Sequence, residues 1–173
     1  MNDFCFDITL EAGGPEDTYR KQREDKIEYS DGRNTDFREE LEALKRTHQV
    51  LPDYVPKPVN ATWNEDQDLL EYTVEQYDFD SRIEYAVEDG FDQNTVKNAF
   101  AELEEVISVM HHHPDLVPHG ELIGNTFIDD GSPVLVNFRG IPQNEAEQQS
   151  WEEQDLHQFQ WLKENGLDIS ENP

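Results

Sequence analysis

The sequence predicts an α+β fold in two lobes, a reduced β-rich front carrying one helix and a short helical back. Three observations predict it. The first 75 residues hold short apolar runs punctuated by Gly, Pro and Asn, with one stretch of helical spacing among them. Residues 92–112 and 145–165 carry apolar side chains at helical spacing over lengths no strand reaches. Between them, a tight Asp-Asp-Gly turn joins two short apolar runs, as in a β-hairpin. A boundary near Glu75–Ser81 divides the chain into a sheet lobe, 1–78, and a helical lobe, 79–173.

Taken in order, residues 4–10 (FCFDITL) read as a strand and Gly13-Gly14-Pro15 as a turn. Residues 17–24 are the returning strand, and 30–34 a loop. Thr35 or Asp36 caps a helix reaching Gln49, with Phe37, Leu41, Leu44 and His48 on one face. Leu51–Pro58 is extended; Val59–Trp63 and Leu69–Glu75 form a strand pair. Ser81–Glu88 reads as a short helix. A longer one starts from Asp92 or Asn94 and runs to His112, its face marked by Val96, Phe100, Leu103, Val106, Ile107 and Met110. A loop over 113–125 leads into the hairpin, with strands Thr126–Ile128 and Val134–Val136 around the turn Asp129–Gly131. Glu145–Asn165 is the last helix, with Trp151, Leu156, Phe159 and Leu162 inward and Gly166 as its stop.

Composition narrows the function classes. Forty acidic residues oppose 13 basic ones, a net charge of −27 in 173 residues. Such a field disfavours direct contact with nucleic acid or an anionic membrane. Two readings account for it: adaptation to high salt, where an acidic, lysine-poor surface stays hydrated, or a DNA mimic that occupies a DNA-binding protein. No apolar run is long enough to span a bilayer, and Met1-Asn2-Asp3 lacks the basic flank and apolar stretch of a signal peptide, so a cytoplasmic protein is expected. Cys5 is the single cysteine, which excludes an internal disulfide. His111-His112-His113, with His119 nearby, has the residue type of a zinc site, but consecutive histidines at a helix end cannot converge on one point. Asp129-Asp130-Gly131 is read as a tight turn rather than a calcium loop, and Glu102–Glu105 as a solvated helix face.

The chemistry-bearing stretch is His119-Gly120-Glu121-Leu122 with Asn125, followed by the hairpin and then Asn137-Phe138. It resembles the protein-kinase-like superfamily, most of all its small RIO-type and KEOPS-associated kinases, over about residues 18–165. Those kinases carry H-G-D-L, an Asn five residues after the Asp, and D-F-G after a short hairpin. The resemblance implies ATP and Mg²⁺ as ligands. It places Glu121 and Asn125 in catalytic positions, Asn125 and Asn137 at the metal, and Lys21, Glu40, Glu71 and Asn137 around the nucleotide. Lys21 would be the strand lysine paired by Glu40, with Lys26 its rival. His119 would anchor the loop, and Asp155 would bond the loop backbone from the last helix.

The departures carry as much weight. Glu121 and Asn137 stand where that chemistry uses aspartate, Asn125 comes one residue early, and Arg139 takes the glycine position after Phe138. Neither G-x-G-x-x-G nor A-P-E occurs. A carboxylate moved out by one bond, roughly 1.5 Å, costs rate steeply, and an amide in place of a carboxylate removes charge from a metal site. The expectation is a degenerate kinase (a pseudokinase) acting by nucleotide or protein binding. An active atypical serine/threonine-type protein kinase and an acidic decoy are the alternatives. A protein partner, ATP, no direct nucleic acid and no membrane are the expected associations.

Overall fold

A computed structural model describes residues 8–9, 18–24, 26–28, 34–64, 69–75 and 80–167. It shows a mixed α+β chain. Strands β1 (Ile8–Thr9), β2 (Thr18–Glu24), β5 (Pro58–Asn64) and β6 (Leu69–Glu75) form an antiparallel sheet in the order β1-β2-β6-β5. Strands β3 (Lys26–Glu28) and β4 (Asn34–Asp36) make a separate hairpin. Helix α1 (Phe37–Val50) follows at once and packs against β5 and β6. Strands β7 (Ser81–Arg82), β8 (Thr126–Asp129) and β9 (Ser132–Leu135) form a second antiparallel sheet against helix α2 (Gln93–His112), and helix α3 (Glu145–Leu167) packs on α2.

The expected elements at 17–24, 59–63 and 69–75 appear as β2, β5 and β6, with Lys21 opposite Tyr72 and Trp63 opposite Leu70. The expected strand at 4–10 is represented by β1; the turn at 13–15 lies outside the described residues. Asn34, expected in a loop, pairs with Glu28 instead.

Local chemistry explains the helices. Asp92 caps α2 by accepting from the Asn94 amide (2.9 Å), the Thr95 amide (3.3 Å) and the Thr95 hydroxyl (2.6 Å). All six residues expected on the inner face of α2 are buried. In α1, Leu41 and Leu44 are buried as expected, and so are Glu40 and Thr47; the Thr47 hydroxyl donates to the Ala43 carbonyl. The segment expected to be extended over Leu51–Pro58 turns instead, its Tyr54 amide donating to the Leu51 carbonyl. Tyr54 in turn accepts from the Leu135 amide on β9, and its hydroxyl donates to Glu102 on α2. The helix expected at Ser81–Glu88 is only a 3-10 turn, Ile83–Tyr85. Ser81 and Arg82 pair with Ile128 and Phe127 as strand β7, because β8 needs a neighbour on its open edge.

The hairpin is tighter than expected. Asp129 pairs with Ser132, leaving Asp130 and Gly131 as a two-residue turn with both φ positive, 48° and 83°. In α3 two expectations fail. Leu156, expected inward, is 54% exposed. Gly166, expected to end the helix, lies inside it: a Cβ there would meet the Phe100 ring at 2.9 Å, so a residue without one lets α2 and α3 close. The buried stripe runs Trp151, Asp155, Phe159, Leu162, Gly166, at spacings of four, four, three and four. Leu156 is one residue, about 100° of helix rotation, away from it. Trp161 is exposed as well.

Candidate functional site

The site is built around the loop 119–125 and the segment 136–140 that leaves β9. The two backbones are laced together. The Val136 amide donates to the Asn125 carbonyl (3.0 Å), and the Arg139 amide to the His119 carbonyl (3.2 Å). His119 is fully buried between them. Its Nδ1 accepts from the Glu121 amide (3.2 Å), so the ring proton sits on Nε2 and is donated to the Val136 carbonyl (2.7 Å). That arrangement is complete for a neutral imidazole. Burial lowers the His119 pKa below its ordinary 6.5, against the opposing pull of Asp155, the Val136 carbonyl, Glu121 and Glu40. The ring also rests on Phe138, with centroids 4.8 Å apart.

From the other side α3 holds the same loop. Asp155 is buried, and its carboxylate accepts from the His119 amide (2.9 Å), the Gly120 amide (2.8 Å) and His111 Nε2 (3.0 Å). One turn on, Gln158 accepts from the Ile123 amide (2.9 Å). Two side chains three residues apart on one helix thus collect three backbone N–H groups that a loop could not satisfy by itself. His119 and Asp155, expected as a loop anchor and a backbone-binding helix acid, both lie in this network. Gln158 and His111 were not expected; the three-residue spacing from Asp155 to Gln158 is the signal that could have found the first. His111, His112 and His113 engage three different groups: Asp155, the Ser108 carbonyl and the Asp115 amide.

Gly120 is required by what lies over it. Its φ is 83°, and a Cβ would fall 2.8 Å from Cδ of Arg139. Arg139 stacks on Trp151, its guanidinium carbon 4.8 Å from the ring centroid, and donates to Gln154 (3.1 Å). Arg139 therefore fills the space that Gly120 leaves open.

The outward side of the site brings three of the expected residues together. Asn125 Nδ2 donates to the Glu121 carbonyl (2.9 Å), and Asn137 Nδ2 donates to Asn125 Oδ1 (3.0 Å). The loop, though one residue shorter than the resemblance implies, still reaches the hairpin end. Asn137 has φ 55°, a left-handed conformation that Asn and Asp tolerate better than other non-glycine residues. The Glu121 side chain is exposed. Glu40 is buried on α1, and its neighbour Glu39 sits over Gly140 and accepts from Gln143 Nε2 (3.0 Å). The first turn of α1 is thus fixed to the chain just beyond Phe138. Lys21 lies in β2 and Glu71 in β6 opposite Gln22; the side chains of Lys21, Lys26 and Glu71 fall outside what is described.

The residues fit a divalent cation poorly. Asn125 and Asn137 contribute neutral amides, and Asn125 Oδ1 is already taken by Asn137 Nδ2. Among the described residues no group of three or more His, Cys, Asp or Glu is placed to hold a metal ion. Among them too, no helix is long and apolar enough to cross a membrane. No protein-family model matches the chain, and no curated protein matches it significantly.

Proposed function

We propose that this chain is a kinase-like protein with a degenerate phosphotransfer site, acting by binding a nucleotide or a protein partner rather than by turnover. One observation carries the reading. Residues scattered over three segments (His119–Asn125, Asn137–Phe138 and Asp155) meet in one bonded unit, and this supports the kinase resemblance. The Asp155 carboxylate takes two loop amides while Asn125 meets Asn137, and both contacts favour this reading.

The same unit lacks what phosphoryl transfer needs. In-line transfer depends on a carboxylate placed at the attacking hydroxyl and on cations that neutralise the phosphate oxygens. Here the carboxylate is the longer, exposed Glu121, and a neutral amide, Asn137, stands where a second acid would be needed. If the chain turns over nucleotide, Glu121 would orient the hydroxyl, while Lys21 and Glu40 would align the phosphates.

A thermal-shift titration with ATP and ADP, run beside a phosphate-release assay, tests the reading. The expected result is a midpoint that rises with nucleotide, because binding to the folded state stabilises it, with turnover at background. An unmoved midpoint would overturn nucleotide binding and favour the protein partner or the acidic decoy; sustained turnover would establish the active kinase instead.

A further inference from the structure

The hydrogen-bond directions around Asn125 are not interchangeable. The Glu121 carbonyl can only accept, so the Asn125 NH₂ must face it. That leaves Asn125 Oδ1 turned toward residue 137, where it meets the Asn137 NH₂ at 3.0 Å. The Asn137 amide hydrogen therefore lies between two residues whose oxygens would otherwise confront each other. With aspartate at 137, the same placement would set a carboxylate oxygen against Asn125 Oδ1, acceptor against acceptor. Such a pair repels unless a cation or a shared proton donor bridges it. With asparagine the side chain's own N–H makes the bridge as a hydrogen bond.

We propose that the Asn137 N–H takes the bridging place of a divalent cation, so that this site binds no Mg²⁺ of its own and holds its nucleotide as the metal-free anion. This rests on the nucleotide reading above for the ligand, but not for the metal. Two features support it. The Asn137 φ of 55° suits Asp as well as Asn, so the backbone does not dictate the amide. Nor is the buried Asp155 free to compensate: its carboxylate already accepts from His119, Gly120 and His111.

The test separates metal from nucleotide. Mn²⁺ binding to the full chain is measured by electron paramagnetic resonance in molar KCl, which screens the surface acids, for wild type, Asn137→Asp, and Asn137→Asp with Asn125→Ala. The wild type is expected to show no saturable Mn²⁺ site. Asn137→Asp should gain one, with affinity roughly tenfold or more above any wild-type background, and Asn125→Ala should remove that gain. A saturable wild-type site overturns the proposal, as does an Asn137→Asp chain that folds and gains nothing. In parallel, the wild-type midpoint is followed with ATP in chelator and with ATP plus Mg²⁺. Equal shifts support the proposal, and a shift seen only with Mg²⁺ overturns it. No shift in either buffer overturns the nucleotide reading alone, because the Mn²⁺ measurement on wild type still decides the metal question.

Discussion

The inner and outer sides of the site are built to different standards. On the inner side, Asp155, Gln158 and His119 meet the loop backbone amide by amide, and Gly120 exists to admit Arg139. On the outer side, Glu121 is exposed and two neutral amides, Asn125 and Asn137, close on each other. The difference teaches that the polar network shaping the loop is separable from the groups that would do chemistry on it. A buried carboxylate with three donors cannot be traded cheaply, because each donor would be left unpaired in a low-dielectric interior. An exposed carboxylate or a surface amide can be exchanged with little penalty to folding.

The comparison is broken most directly at Asp155. Asp155→Ala should cost about 3–5 kcal/mol, since it orphans the His119 and Gly120 amides and His111 together. Urea unfolding measures it, with Asp155→Asn falling between the two; a loss below about 1 kcal/mol would show that the inner side is not the stability centre. Gly120→Ala comes next, at about 2–4 kcal/mol. It combines a left-handed backbone with a side chain pressed onto Arg139, and Trp151 fluorescence should report the displaced guanidinium.

Acidity probes the same inner side through His119. Its folded pKa lies below the 6.5 of an unfolded histidine. Between those two values the unfolded chain binds the extra proton, so stability falls as pH drops. The contribution is fully present above 6.5 and is lost as pH falls toward the folded pKa. Protonation would put a hydrogen on Nδ1, where the Glu121 amide now donates. His119→Gln should remove this component, so the difference in unfolding free energy between the two proteins should shrink as pH is lowered from 7. An unchanging difference would mean that the imidazole does not titrate differently on folding.

On the outer side the expected effects are smaller. Asn125→Ala should cost about 1–2 kcal/mol for two partly exposed hydrogen bonds. Glu121→Ala should stay within about 0.5 kcal/mol of wild type in chemical denaturation, as exposed substitutions do. A large destabilisation by Glu121→Ala would erase the contrast between the two sides.

Most elements were legible from spacing alone. The α2 face from Val96 to Met110 repeats at helical intervals, Asp92 carries its cap, and β5 and β6 alternate between turn residues. These signals are local: periodicity and capping depend on residues within a turn or two of each other. The placement of Asp155 and Leu156 was not legible in that way. Hydrophobicity marks Leu156 as the inward residue, yet the helix buries its charged neighbour, because the loop 119–123 brings amides that only an acceptor can satisfy. Gly166 read as a stop for the same reason: nothing near it in sequence announces the Phe100 ring that needs the space. The identities of Glu121, Asn125 and Asn137, one carboxylate and two neutral amides, were fixed by the sequence itself. That Asn125 and Asn137 touch, and which atom donates to which, was decided only by the hairpin returning its end to the loop. Hydrogen-bond direction is a property of groups brought together across 12 residues, and no reading along the chain contains it.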